Sequence, residues 1–337
     1  MAKPCRVWSG ASSTGSADPV NDGRLLPAED RRTTLRHARD ALALANRLPD
    51  LGVSAREVSA SVMHGMHGRR QAGPGEAFWQ FRPFTPGEST SRIDWRRSAR
   101  DDRTYIRERE WEAAQTIWIW IDRSPSMGFE SGLAQQSKID RALIVGLATA
   151  DLLVRGGERV GLIGLTRPTA SRTIVERLVD TLRLAGSSID DELPPSTPLP
   201  PRSRGVLIGD FLSDADEIGR VLRSVAGNGA KGHMVAIADP VEETFPFSGH
   251  VELSDVGTSA RLRLGEARAM RDAYLGRLQS HRETLTALCR SLGWTFSVHR
   301  TDRKATEALM HLSVLIADAG ALPGGGSAGG GAMRGGS

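Results

Sequence analysis

Ile117-Trp118-Ile119-Trp120-Ile121-Asp122-Arg123-Ser124-Pro125-Ser126-Met127-Gly128 decides how this chain is read. Five apolar residues in a row predict a strand covered on both faces, the mark of a parallel sheet flanked by helices. In open sheets of that kind ligands bind outside the carboxyl ends of the strands. Just past such an end the chain sets Asp122, Ser124 and Ser126, three oxygen-bearing side chains at alternate positions. A hard divalent cation takes oxygen ligands, keeps several waters and is held by one or two carboxylates. One aspartate with two hydroxyls meets that need for Mg²⁺ or Mn²⁺. It also leaves the ion positively charged, with an open position suited to a partner's carboxylate. A plainer role fits the same residue types, because Ser and Asp oxygens cap helix N-termini. Ser124 or Ser126 could act so, and Asp210 could cap a helix beginning after Ser213.

Outward from this strand the pattern stays regular. Strands are predicted at 116–122, 159–166, 205–210, 232–238 and 295–299, and helices at 137–154, 174–184, 214–226, 266–292 and 303–316. Trp118 and Trp120 share one face of the first strand as packing residues. Asp210 closes the third strand and is a second carboxylate at a strand end. Residues 249–264 carry a period-two pattern expected of a small antiparallel ribbon. The Pro- and Ser-rich tract 186–204 is too long for an ordinary connection and reads as a disordered insertion or a functional surface loop.

The expected organisation is a disordered arm over 1–27, a smaller N-terminal module over 28–112, an α/β domain over 113–318 and a disordered glycine-rich tail over 319–337. Within the module, Leu35, Ala38, Leu42, Ala45 and Leu48 predict an amphipathic helix over 29–48, with a further short element over 51–62. Residues 63–75 read as a glycine-rich loop. His64 and His67 lack the neighbouring Cys, Asp or Glu that a metal site needs.

The 337 residues, 39% hydrophobic, suffice for one large core plus a smaller module. Cys5 and Cys289 lie far apart with no metal-type spacing, so neither a disulfide framework nor a zinc site is indicated, and a cytoplasmic setting is expected. No apolar run reaches the roughly 18 residues of a membrane span, and no signal-peptide core is seen. The net charge of +4 lies in the first 115 residues, interspersed with acids, which is not the dense basic stripe of a nucleic-acid binder. Enzyme motifs are missing: no GxSxG elbow, HExxH, Walker A or dinucleotide glycine pattern. Phosphoryl transfer by a strand-end aspartate needs an acid two residues further on, where Ser124 stands, and a lysine to hold the phosphoryl charge; the chain has very few lysines and none is expected at a strand end near Asp210.

Arg82-Pro-Phe, Gly87-Glu88, Arg92-Ile-Asp94-Trp95, Ser98-Ala-Arg100, Tyr105-Ile-Arg107-Glu108 and Glu110, followed by Asp122-x-Ser124-x-Ser126-Met127, resemble domain-of-unknown-function family 58. The motifs span residues 78–128, and the segment 78–112 is the family's motif region. The resemblance implies a von Willebrand factor A-like, Rossmann-like fold, a mostly parallel sheet wrapped by helices, reaching to about residue 318. It implies a metal-ion-dependent adhesion site, with Asp122, Ser124 and Ser126 as its first segment, Asp210 acting through water, and a threonine from the loop that offers Thr166, Thr169 and Thr173. That loop lacks the usual Gly-Gly-Thr context, and Thr169 is the candidate. It further implies partnership with MoxR-type AAA+ ATPases and their client proteins, as an adaptor in protein-complex or metalloenzyme maturation. Arg92, Asp94, Trp95 and Arg100, with Arg96, are expected as a salt-bridged latch around Trp95, or as a functional patch. Hydrolysis of a phosphate ester in the Asp122 cleft, and a metal-free scaffold, are the alternatives.

Overall fold

The computed structural model describes residues 28–68, 78–85, 88–100, 103–109, 114–185, 192–254, 261–264 and 266–318. The expected N-terminal arm, the glycine-rich tail and the start of the 186–204 tract lie outside the described residues. The chain forms two compact units. One takes residues up to Val62 together with those from Thr116 onward, and the other is Met63–Gln115.

The expected N-terminal module is therefore divided. Helix α1 (Ala28–Gly68) is one 41-residue element with Pro49 inside it, where two elements were predicted, and it runs through His64 and His67, which were read as loop. Leu44, Leu48, Leu51, Ala55, Val58 and Val62 recur every three or four residues, and all join the main core. Burial of that stripe outweighs the hydrogen bond that Pro49 removes. Arg47 adds an ion pair to Asp140 at 2.6 Å, and Arg56 one to Glu176.

In the smaller unit β1 (Phe78–Pro83) pairs antiparallel with β2 (Tyr105–Arg109), and between them lies α2 (Trp95–Ser98). The Asp94 carboxylate caps α2 by accepting the Arg97 N–H at 2.9 Å. This corrects the latch. Trp95 is 66% exposed and Arg96 and Arg100 are exposed, so Trp95 anchors no buried cluster; a single helical turn has no apolar stripe to bury. The side chain of Arg92 lies outside the described residues.

The main unit continues as β3 (Thr116–Ile121), α3 (Lys138–Arg155), β4 (Arg159–Leu162), α4 (Ile174–Ala185), β5 (Ser203–Gly209), α5 (Ala215–Val225), β6 (Lys231–Ala238), α6 (Pro240–Thr244), β7 (Val251–Ser254), β8 (Arg261–Leu264), α7 (Ala267–Ser291), β9 (Trp294–Arg300) and α8 (Ala305–Asp318). Five strands form one parallel sheet in the order β4-β3-β5-β6-β9, and β7 and β8 form the expected antiparallel ribbon. This is the α/β class read from the sequence. In chain order the strands lie 2-1-3-4-5, which puts the topological switch point between β3 and β5.

One face of the sheet packs against α1, α3, α4 and α8. Helix α3 comes so close that a Cβ on Gly146 would stand 2.5 Å from Ile121 Cδ1, so any larger residue there would force the Ile121 side chain to shift. The other face, with Trp118 and Trp120 on it, packs against α5 and α7. Part of that cover is the tract 192–202. Leu193 and Leu199 enter this core, and the Leu199 N–H donates to Val225 O at 3.0 Å, so the described part is a packed strap. Among the described residues no helix is long and apolar enough to cross a membrane.

Candidate functional site

Asp122 leaves the sheet at the switch point. Its N–H still donates to Ile208 O at 2.8 Å, which sets it beside Gly209. A Cβ on Gly209 would lie 2.9 Å from Asp122 Cβ and 3.2 Å from Oδ2, so the glycine makes room for the carboxylate. Ser124 N–H donates to Asp122 Oδ1 at 2.8 Å, an Asx turn that bends the chain back over the strand end. The Ser124 and Ser126 hydroxyls are 2.9 Å apart, and Ser126 also bonds Asp210. The sequence-predicted quartet Asp122, Ser124, Ser126 and Asp210 is thus brought together, all four side chains buried.

Cap roles do not account for them. Ser124 precedes the turn Pro125–Gly128 without capping it through its side chain, and α5 is capped by Asp214, which accepts from Asp216 and Glu217. Asp210 turns inward. It is followed by Phe211 at φ 50°, a left-handed conformation that costs a bulky residue on the order of 1 kcal/mol. The Phe211 ring packs 6.2 Å from that of Trp120, and its carbonyl accepts from His281 Nε2 at 2.7 Å.

Thr169 is not part of the site. It pairs with Val160 in an antiparallel bridge, and Val160 stands opposite Ile117, five residues before Asp122. At ~3.3 Å per residue that is roughly 16 Å from the strand end. The chain turns back at Gly164 and runs down beside β4, carrying the threonine away. Thr166 instead closes this turn, its hydroxyl accepting the Leu162 N–H at 2.8 Å.

Four residues not foreseen from the sequence complete the site. Lys138, the first residue of α3, is 1% exposed; its ammonium donates to Asp210 Oδ2 at 3.0 Å and to Glu242 Oε1 at 2.8 Å. Glu242 Oε2 accepts the Asp239 N–H at 2.9 Å in a capping box at the start of α6. Asp239 in turn accepts the N–H of Ser131 at 2.9 Å. Glu192, on the strap, accepts the Ser213 hydroxyl at 2.8 Å and adds negative potential at Asp122. The Asp239-x-x-Glu242 spacing is a capping signature that could have located α6. Nothing local marks Lys138 or Glu192.

Electrostatics separates the two aspartates. Burial, then the neighbouring Asp210 charge, push the Asp122 carboxyl well above the ordinary carboxylate range. Asp210 is equally buried, but the Lys138 ammonium outweighs that and holds it below its usual value. Lys138 itself is pulled down by burial and lifted further by its two carboxylates, so it stays charged. Asp122 Oδ2 is buried without a hydrogen-bond partner. An orphaned carboxylate oxygen beside two hydroxyls, in a site with more buried carboxylates than cations, fits a divalent ion. Among the described residues no cluster of three or more His, Cys, Asp or Glu is arranged to hold a metal, so an ion here would rely on serine hydroxyls and water.

The family model described as "Protein of unknown function DUF58" matches residues 80–284. The chain belongs to the DUF58 family. Uncharacterized protein Rv1480 of Mycobacterium tuberculosis and uncharacterized protein Mb1516 of Mycobacterium bovis are each 28% identical to it over 277 residues, covering 77% of this chain and 86% of the relative. No solved structure matches the chain. The DUF58 match begins in the smaller unit and ends in α7, so it takes in Asp122, Lys138, Asp210 and Glu242 alike.

Proposed function

We propose that the switch-point crevice binds Mg²⁺ or Mn²⁺ through Asp122, Ser124 and Ser126, with Asp210 reached through water, and that the ion's open position captures a carboxylate of a partner protein. The observation that carries this reading is the buried, unpartnered Asp122 Oδ2. A dication would balance the Asp122, Asp210 and Glu242 charges that Lys138 alone leaves in excess. Hydroxyls and water would complete its shell without adding charge. In this reading the DUF58 protein is an adaptor without catalytic activity of its own, working with a MoxR-type AAA+ ATPase on client proteins. The ATPase and the maturation role come from the family resemblance.

A hydrolase reading gains one observation, a lysine beside a strand-end aspartate. Its ammonium is locked between Asp210 and Glu242, however, and Ser124 still stands where a second acid is needed.

The test is thermal unfolding with Mg²⁺ or with EDTA. At ten times its Kd the ion should stabilise the native state by about 1.4 kcal/mol. Asp122→Asn should abolish that gain. Without the ion the variant should be at least as stable as wild type, because a carboxyl with a raised folded pKa weakens the fold once pH exceeds its unfolded value. Equal melting temperatures with and without millimolar Mg²⁺ would remove the ion from the account. Turnover of model phosphate esters lost in Asp122→Asn would favour the hydrolase, whereas EDTA-sensitive capture of the ATPase would favour the adaptor.

A further inference from the structure

A groove of about 290 Å³ opens beside β9, the edge strand of the parallel sheet, and shares no residue with the crevice at the switch point. Its floor holds Val235, Ser297 and His299, and Arg303, Glu307 and His311 line it from the turn before α8 and from α8 itself. Val235 stands opposite Ser297 in the parallel pairing of β6 with β9, and His299 is two residues further on, so all three face the side of the sheet that carries α3 and α8. A parallel strand is ordinarily apolar on such a face. Here β9 presents Thr295, Ser297 and His299. The Thr295 hydroxyl is taken by His233 Nδ1 at 2.7 Å, whereas the Ser297 hydroxyl has no protein partner among the described residues.

His299 is oriented from behind. Arg141 Nη1 lies 3.4 Å from His299 Nε2, and because a guanidinium only donates, Nε2 is the acceptor. Burial, and then the Arg141 charge, hold the imidazole neutral, near a pKa of about 4. A neutral ring that accepts at Nε2 carries its proton on Nδ1. Among the described residues Nδ1 has no acceptor, so a side chain only 7% exposed turns an unused N–H toward the groove it lines. Arg141 itself is 3% exposed, donates to the carbonyls of Thr301 and Arg303 but to no carboxylate, and has an Nε without a partner. Arg300 is paired with Asp302, while Arg303, exposed on the turn 300–303, has no ion pair among the described residues. Guanidiniums therefore outnumber carboxylates around the groove.

We propose that this groove binds the phosphoryl dianion of a small phosphate monoester, its oxygens accepting from His299 Nδ1–H, the Ser297 hydroxyl and the Arg303 guanidinium. A phosphoryl group offers three strong acceptor oxygens to donors arriving from floor and wall, where a carboxylate offers two in one plane. The chain from Arg141 through His299 places a buried cation behind the imidazole N–H and strengthens its bond to an anion. The volume lies at the lower end for small-ligand sites, so a short carbon body fits beside the phosphoryl group, with a hydroxyl donating to Glu307.

The test is calorimetric titration of the full chain, in EDTA and a phosphate-free buffer, with glycerol 3-phosphate, inorganic phosphate, acetate and glycerol. Glycerol 3-phosphate should bind most tightly, inorganic phosphate several-fold and acetate about tenfold more weakly, and glycerol not at all. Arg303→Gln should melt as wild type does, because the side chain is exposed, and should bind glycerol 3-phosphate about tenfold more weakly. Ser297→Ala should lose several-fold. Imidazole ¹⁵N spectra, with His299 assigned by its loss in His299→Gln, should show the Nδ1–H tautomer in the free protein and a shift of that nitrogen on titration. Inorganic phosphate binding as tightly as glycerol 3-phosphate would overturn the carbon body and leave the phosphoryl contacts standing. The proposal as a whole is overturned by no saturation at about 20 mM glycerol 3-phosphate, by acetate matching phosphate, by unchanged affinity in Arg303→Gln, or by a His299 protonated on Nε2.

Discussion

Replacing Lys138 by methionine, a side chain of similar length without charge, tests the electrostatic frame of the site. At an effective dielectric of about 20, contacts of 3.0 and 2.8 Å correspond to roughly 5–6 kcal/mol each before desolvation. Burying one ammonium and two carboxylates takes back most of that. What remains when the cation alone is removed is the cost of two buried, uncompensated carboxylates, about 3–5 kcal/mol. Lys138→Met should therefore lose about that much in urea unfolding with EDTA, against at most about 1 kcal/mol for an exposed pair. Adding Glu242→Gln and Asp210→Asn to Lys138→Met should recover most of the loss, because the two carboxylates that Lys138 compensates are then neutral. Mg²⁺ should stabilise Lys138→Met more than wild type, since Asp210 is freed to face the ion. A loss below about 1 kcal/mol for Lys138→Met in EDTA, or a triple variant no better than the single one, would refute this account.

Other expectations follow from the same packing. His233 and His299 are buried, and burial holds both near a pKa of about 4, aided by Arg204 at His233 and by Arg141 at His299. Their neutral forms are favoured in the fold, so the stability they confer is complete above about pH 6.5 and is lost as pH falls toward 4; unfolding at pH 4.5 should show about 2 kcal/mol lost per histidine, and His299→Gln should flatten that dependence. Leu48→Ala should cost about 2–4 kcal/mol, and a chain beginning at Ala113 should lose cooperative unfolding, because Leu48, Ala55 and Val62 belong to the main core. An equally stable shortened chain would refute α1 as part of that core. A Cβ on Gly232 would meet Gly205 O at 2.2 Å and the Trp294 ring at 2.6 Å, so Gly232→Ala should lower stability by about 1–3 kcal/mol in the same assay.

The parallel sheet, its flanking helices and the placement of Asp122, Ser124, Ser126 and Asp210 at strand ends are legible in the sequence because each depends on residues close together in the chain. An apolar run of five, or a leucine every three or four residues, records which faces must be buried, and a strand's end follows from where that record stops. The 186–204 tract, Pro49 and Trp95 show the limit of such reading. Composition marks the tract as irregular, yet Leu193 and Leu199 find a core made by other elements; Pro49 weakens a helix locally, yet the core on one side of the helix holds it straight through; and Trp95 is apolar, yet a four-residue helix offers it nothing to pack on. Thr169 lies on the loop where the resemblance places a ligand, yet far from the site in space, because the chain doubles back at Gly164. Lys138 shows the reverse. Its partners are 72 and 104 residues away, and only the convergence of α3, β5 and α6 at the carboxyl edge of the sheet brings the three charges together. Local sequence carries periodicity and turn chemistry. Which buried charge meets which is decided by the crossing of distant segments, where desolvation leaves an ammonium no stable place except between the carboxylates that the fold delivers.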